Sequence, residues 1–176
     1  MKRKIVLIGR ISPRKFRVVS TNDRQAFYLS HLDPSLPKLA TALKGQFRLV
    51  VNDLEIIVQW LRLAMSAGAT GRPITAGEVL SESDLLASIT HSNAQLQTLV
   101  DIASTRFVGS KSKDAKGMLT ATIKRLTEAG YFVPAGVTGI QHRATGKWSW
   151  LYDVMAFIQV HEALPDDDGA EQMELV

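Results

Sequence analysis

The chain has 176 residues, 45% of them hydrophobic and 22% charged, the balance of a soluble globular protein of one domain, or one domain with an appendage. It contains no cysteine, which excludes disulfide frameworks, thiol catalysis and every cysteine-ligated metal site. Its 21 Lys and Arg exceed its 17 Asp and Glu by four, a modest sum that conceals an uneven distribution.

Residues 1–17 carry seven bases and no acid, residues 49–105 carry Arg62 and Arg72 against six acids, and residues 109–147 carry seven bases against Asp114 and Glu128. The last twelve residues, PDDDGAEQMELV, hold five acids and no base, leaving 21 bases against 12 acids in the body of the chain. Two basic segments around an acidic middle favour a polyanionic partner. The apolar run Ile5 to Ile8 is too short for a signal peptide, and no stretch reaches the roughly 20 apolar residues of a membrane helix. A cytoplasmic protein without a membrane partner is expected.

In chain order, KIVLI, FRVVS and AFYLS read as short strands, broken by Ser12-Pro13 and by the turn signal Thr21-Asn22-Asp23. A brief helix over 36–43 should end at Gly45, and a second, capped by Asn52 or Asp53, should run to Met65 with Leu54, Ile57, Val58 and Leu61 on its apolar side. Short helical pieces are expected over 75–80 and 82–89. Ser92 or Asn93 caps a helix with Leu96, Leu99, Val100 and Ala103 on one face, closed by Phe107.

The segment GSKSKDAKG, residues 109–117, has the glycines and lysines of a phosphate loop but not the spacing. A nucleotide loop of the G-x-x-x-x-G-K-[ST] kind needs lysine after its second glycine and a strand before the first; here Met118 follows Gly117 and a helix precedes Gly109. Read with MLTATIKRLTEAG, the segment becomes the turn and start of a helix over about 113–129, stopped by Gly130. With Ile123 at the centre of the inward side, Ala115, Leu119, Thr122 and Leu126 join it. Lys113, Gly117, Thr120, Ala121, Lys124 and Glu128 then collect opposite, with Lys116 and Arg125 beside them. Small, hydroxyl and cationic groups on one face suit base edges and phosphates, and the helix N-terminus near Ser112 adds an anion site.

YFVPAGVTGIQH, the loop HRATGK and KWSWLY read as a hairpin, with Trp148 and Trp150 alternating on its return strand. The stretch from Ile123 to Tyr152 resembles the recognition helix, turn and β-wing of the winged-helix superfamily: Leu126 to Gly130 with Tyr131 and Phe132, a basic loop over 142–147, then Trp148 to Tyr152. The resemblance covers about 90 residues at most, from the Asn93 helix onward, or reaches further back if RPITAGEV supplies the superfamily's small strand and second helix. It implies that Lys113, Lys116, Thr120 and Lys124 face a major groove, with Arg143 and Lys147 reaching a neighbouring groove or backbone; Lys111 and Arg125 join them as candidate nucleic-acid contacts.

The expected architecture is α+β: mainly helical, with a C-terminal winged-helix module and a small N-terminal β-containing segment. Residues 1–48 form the basic β-rich segment, 49–164 the helical and winged-helix domain, and 165–176 a disordered acidic tail. A last helix over 153–163 turns Val154, Met155, Ile158 and His161 inward. The expected function is non-enzymatic binding of double-stranded DNA, in transcriptional regulation or in replication and maintenance of a bacterial or mobile element. The alternative is a winged-helix interaction subunit of a larger DNA-handling complex, with a homodimer or another protein docking on the acidic middle.

No cofactor and no metal are expected. His31, His91, His142 and His161 lie far apart in the sequence without i, i+4 pairing, and Asp166 to Asp168 read as solvated tail. Neither the acids nor the serines form a recognisable acid/base or nucleophile constellation.

Overall fold

A computed structural model describes residues 16–33, 37–68, 71–136 and 139–162. The strand expected at KIVLI, most of the N-terminal basic run and the acidic tail lie outside the described residues. The described chain is α+β and mainly helical.

Strands β1 (Phe16–Ser20) and β2 (Phe27–His31) form an antiparallel hairpin, Phe16 opposite His31 and Ser20 opposite Phe27. Its turn closes as the sequence predicts. The Thr21 hydroxyl donates to the Asp23 carboxylate at 2.6 Å and the Thr21 N–H donates to the Ala26 carbonyl, while Arg24 takes the left-handed conformation with φ 57°.

Helix α1 (Pro37–Ala67) is continuous over 31 residues, where a helix ending at Gly45 and a second starting near Asn52 were expected. Pro37 takes the first helical position, which needs no N–H donor, and no other proline interrupts the run. One exposed glycine costs about 1 kcal/mol, too little to break so long a ladder. The helix therefore bridges residues 48 and 49. Its C-terminal half buries Ile57, Trp60, Leu61, Leu63, Ala64 and Ala67.

After α1 comes β3 (Val79–Ser81), then α2 (Glu82–Thr90), α3 (Asn93–Ser104) and α4 (Ala115–Glu128). The helix expected over 75–80 is instead a turn and a strand. Glu78 N–H bonds the Thr75 carbonyl around Gly77 at φ 89°, and β3 pairs with a strand some 60 residues on, which local periodicity could not reveal. Ser81, Ser92 and Asp114 cap α2, α3 and α4, each accepting from the N–H three residues ahead.

Beyond α4, β4 (Phe132–Ala135) and β5 (Gln141–Ala144) form a hairpin, and β3 adds to its far side in the antiparallel order β3-β5-β4. The chain closes with α5 (Lys147–Glu162). This corrects two expectations. β5 begins only at Gln141, and Gly136 and Gly139 ahead of it take positive φ, so the segment 142–147 is not a wing loop: His142 and Arg143 are strand residues. KWSWLY is helix, because Trp148, Leu151, Tyr152 and Met155 recur at helical spacing against the core; the Trp148/Trp150 alternation is incidental. Val154, Met155 and Ile158 are half-buried; the His161 side chain lies outside the described set.

One core joins these elements. Ile57, Trp60 and Leu61 of α1 share it with Leu85, Ile89, Leu99, Ile102, Leu119, Ile123 and Leu126 of the next three helices. Tyr131, Phe132 and Trp148 seal one end, with ring centroids 4.7 Å (Tyr131–Trp148) and 5.6 Å (Phe132–Trp148) apart. The N-terminal hairpin reaches this body at Gly146, where an added Cβ would lie 2.4 Å from the Ala26 Cβ, and through the Asn22 N–H, which donates to Asp153 at 3.0 Å. Among the described residues no helix is long and apolar enough to cross a membrane.

Candidate nucleic-acid interface

Helix α4 is amphipathic as its spacing predicts: Leu119, Thr122, Ile123 and Leu126 are buried, while Lys116, Thr120, Lys124 and Glu128 are exposed. Lys116, Thr120 and Lys124 follow each other at intervals of four, so they run up one side of the helix. Lys111 and Lys113 stand exposed in the connection leading into it. Among the described residues none of these four lysines forms an ion pair.

The connection itself is built around Asp114. Its carboxylate accepts from the Gly117 N–H at 2.9 Å and from the Ser112 hydroxyl at 2.6 Å. The Ser112 bond, then the Gly117 N–H, hold the Asp114 carboxyl below the usual aspartate range, and Lys116 adds to this. The first turn of α4 thus faces the protein's own carboxylate, so the anion site expected near Ser112 is already filled by Asp114. Gly117 makes this possible: a Cβ there would lie 2.1 Å from the Ser112 Oγ.

Thr120 donates to Glu82 at the start of α2, so one member of the stripe is bonded inside the protein. The other Glu82 oxygen lies 3.4 Å from Nε2 of His142, a buried histidine on β5. Glu82 and His142 escaped the sequence reading, which paired no histidine with a carboxylate. They are 60 residues apart and only the pairing of β3 with β5 brings them together.

The remaining expected contacts divide. Arg125 turns to the other flank of α4: its Nε donates to the Phe107 carbonyl at 2.9 Å, its guanidinium lies 4.8 Å from the Phe107 ring centroid, and Glu128 stands 3.8 Å away. That binding pins the α3–α4 connection. Arg143 is exposed on the central strand and donates to the Gly77 carbonyl at 3.3 Å. Lys147 is a structural cation. Its ammonium donates to the Ala129 carbonyl at the C-terminal end of α4 at 2.6 Å and lies 4.4 Å from the centre of the Tyr131 ring. Burial pushes its pKa down, with the Asp53 charge opposing.

The structure therefore groups Lys111, Lys113, Lys116 and Lys124 with Thr120 on and before α4, and gives Arg125 and Lys147 packing roles. The sequence between β4 and β5 carries no Lys or Arg. Among the described residues no three His, Asp or Glu side chains gather in a way that could hold a metal ion. Comparison with known protein families, with curated proteins and with solved structures finds no match to this chain.

Proposed function

We propose that this protein is a non-enzymatic binder of double-stranded DNA that presents α4 to the major groove as a winged helix-turn-helix does, in transcriptional regulation or in replication and maintenance of a bacterial or mobile element. The observation that carries the reading is the stripe Lys116–Thr120–Lys124, exposed opposite a buried apolar stripe, with Lys111 and Lys113 just before it and no partner carboxylate on the lysines among the described residues. The element order supports it: a small strand, helices, the candidate recognition helix, then a hairpin whose return strand pairs with the small strand. An α-helix with small residues at Gly117 and Ala121 fits the major groove, where lysines reach phosphates and base edges. Arg143, exposed on β5, is the remaining candidate beside it.

A salt-titrated gel shift with duplex, single-stranded DNA and RNA probes tests the reading. Duplex binding should weaken steeply with salt, and Lys113→Ala, Lys116→Ala and Lys124→Ala should each lower the slope of log affinity against log salt by about 1. Wild-type affinity in a Lys124→Glu variant would remove α4 from the interface.

A second reading, a winged-helix subunit that docks a protein partner, has one observation in its favour. The three-stranded sheet exposes Val133, Ile140 and Val79, with Arg143 as the one exposed base of its described strands. On that reading the lysine variants leave capture of the partner intact.

A further inference from the structure

The N-terminal half of α1, the β1–β2 hairpin and α5 enclose a groove of about 920 Å³ on a part of the molecule that the proposed interface does not use. Phe27, Tyr28 and Leu29 of β2 line one wall, Phe47 of α1 and Trp150 and Phe157 of α5 others. Phe27 is 61%, Phe47 50% and Phe157 64% exposed. Leu32, Val51 and Val160, each within a turn of the groove in sequence, are more than half exposed as well.

We infer that this apolar face is where a second copy of the chain docks, in a two-fold symmetric dimer. Three observations select that occupant. The first is area. At these exposures and aromatic side-chain areas of about 150–250 Å², the groove residues present about 500 Å², and about 800 Å² with Leu32, Val51 and Val160, which is the share one partner contributes to a standard stable interface. Monomers rarely leave so much apolar surface in one place.

The second is charge. In a two-fold interface every patch meets itself, so a strongly one-signed surface repels its own copy. The elements around the groove, residues 16–33, α1 and α5, hold seven Lys and Arg against six Asp and Glu. Residues 111–124 hold four lysines against Asp114, so that face is unsuited to self-pairing and stays open.

The third is the shape of α1. At about 1.5 Å per residue its 31 residues span about 46 Å. Its buried residues begin only at Ile57, so the first 20 positions contribute no fully buried side chain among those described. Helices in proteins draw most of their stability from packing an apolar face, and a second copy laid over Phe47 and Val51 supplies that packing. This differs from the surface expected on sequence grounds, the acidic middle, much of which is core.

Sedimentation equilibrium of the full chain without nucleic acid tests the inference, and its outcome is separate from whether the protein binds DNA. A dimer is expected across the micromolar range, and Phe47→Glu or Phe27→Glu should weaken it at least about tenfold while the circular dichroism of the core is kept, since both side chains are at least half exposed in one copy. Because the chain has no cysteine, Phe27→Cys or Phe47→Cys should be joined between chains by a flexible two-headed thiol cross-linker and Lys116→Cys should not. A wild-type monomer throughout, a dimer indifferent to both glutamates, or cross-linking at Lys116→Cys alone would overturn it.

Discussion

Thr120, in the stripe of α4 proposed to meet DNA, donates a hydrogen bond to Glu82, the first residue of α2, and the same carboxylate lies 3.4 Å from the buried His142 ring on β5. One acid therefore ties three elements together beside the lysines. Replacing it separates its two effects. Glu82→Ala should destabilise the protein by about 1–3 kcal/mol in urea unfolding, because His142 loses its partner. Glu82→Gln keeps an acceptor, should cost less, and should tighten duplex binding about threefold to tenfold by removing a negative charge near the phosphates. Equal stability of the two variants would contradict the bonding role.

Lysines that look alike in sequence should behave differently. Lys124→Ala should lower the salt slope of duplex binding by about 1 and leave the unfolding midpoint nearly unchanged. Lys147→Ala should do the reverse: a loss of about 1–3 kcal/mol from the missing bond to Ala129 and the lost contact with Tyr131, with the salt slope unaltered. Gel shifts and urea melts on the same two preparations decide it.

Gly117→Ala would ordinarily stabilise a helix by about 1 kcal/mol. Here it should lower the melting temperature, since the new Cβ collides with Ser112 and disturbs the Asp114 cap. Ser112→Gly clears the space, so the double variant Ser112→Gly/Gly117→Ala should melt above Gly117→Ala alone. A Gly117→Ala protein that melts above wild type would show that the loop yields freely.

Alkaline pH should unfold this protein through two tyrosines. Burial, helped by the Asp53 and Glu78 charges respectively, pushes Tyr131 and Tyr152 up to about 12, whereas an unfolded tyrosine titrates near about 10. Between these values the unfolded chain releases protons that the folded chain keeps, so stability falls as pH rises through that window. Lys147 acts oppositely: burial disfavours its charged form in the fold, and that penalty fades as pH climbs toward about 10.5. Tyr152→Phe should cost about 1 kcal/mol at neutral pH, from the lost bond to the Ile74 carbonyl, and flatten the alkaline fall. Urea midpoints followed through the alkaline range read both effects.

Much of the helical framework is legible in local patterns. Ser92 and the apolar positions of α3 give its register, and the buried face of α4 follows from 3.6-residue spacing around Ile123, as do the Thr21 turn and the β1–β2 hairpin from their turn residues and β-branched runs. These are interactions between residues a few positions apart. Gly45 and the Trp148/Trp150 alternation misled because a single breaker, or a short alternation, is outweighed by the packing of a whole helix. Among the proposed contacts, the exposure of Lys111, Lys113, Lys116 and Lys124 follows from position along the chain, but the engagement of Arg125 with Phe107 and of Lys147 with Ala129 does not.

The sequence by itself determined the buried faces of α3 and α4, the Ser92 cap and the concentration of lysines before and along α4, because each depends on spacing within one or two turns. Only the tertiary structure decided which cations remain open to a partner. That choice depends on β3 finding β5 some 60 residues away, on Glu82 reaching Thr120 and His142, and on α5 starting where Lys147 can close the end of α4. Such contacts join segments whose separation along the chain leaves no periodic trace, so they are fixed by the shared core and not by any local signal.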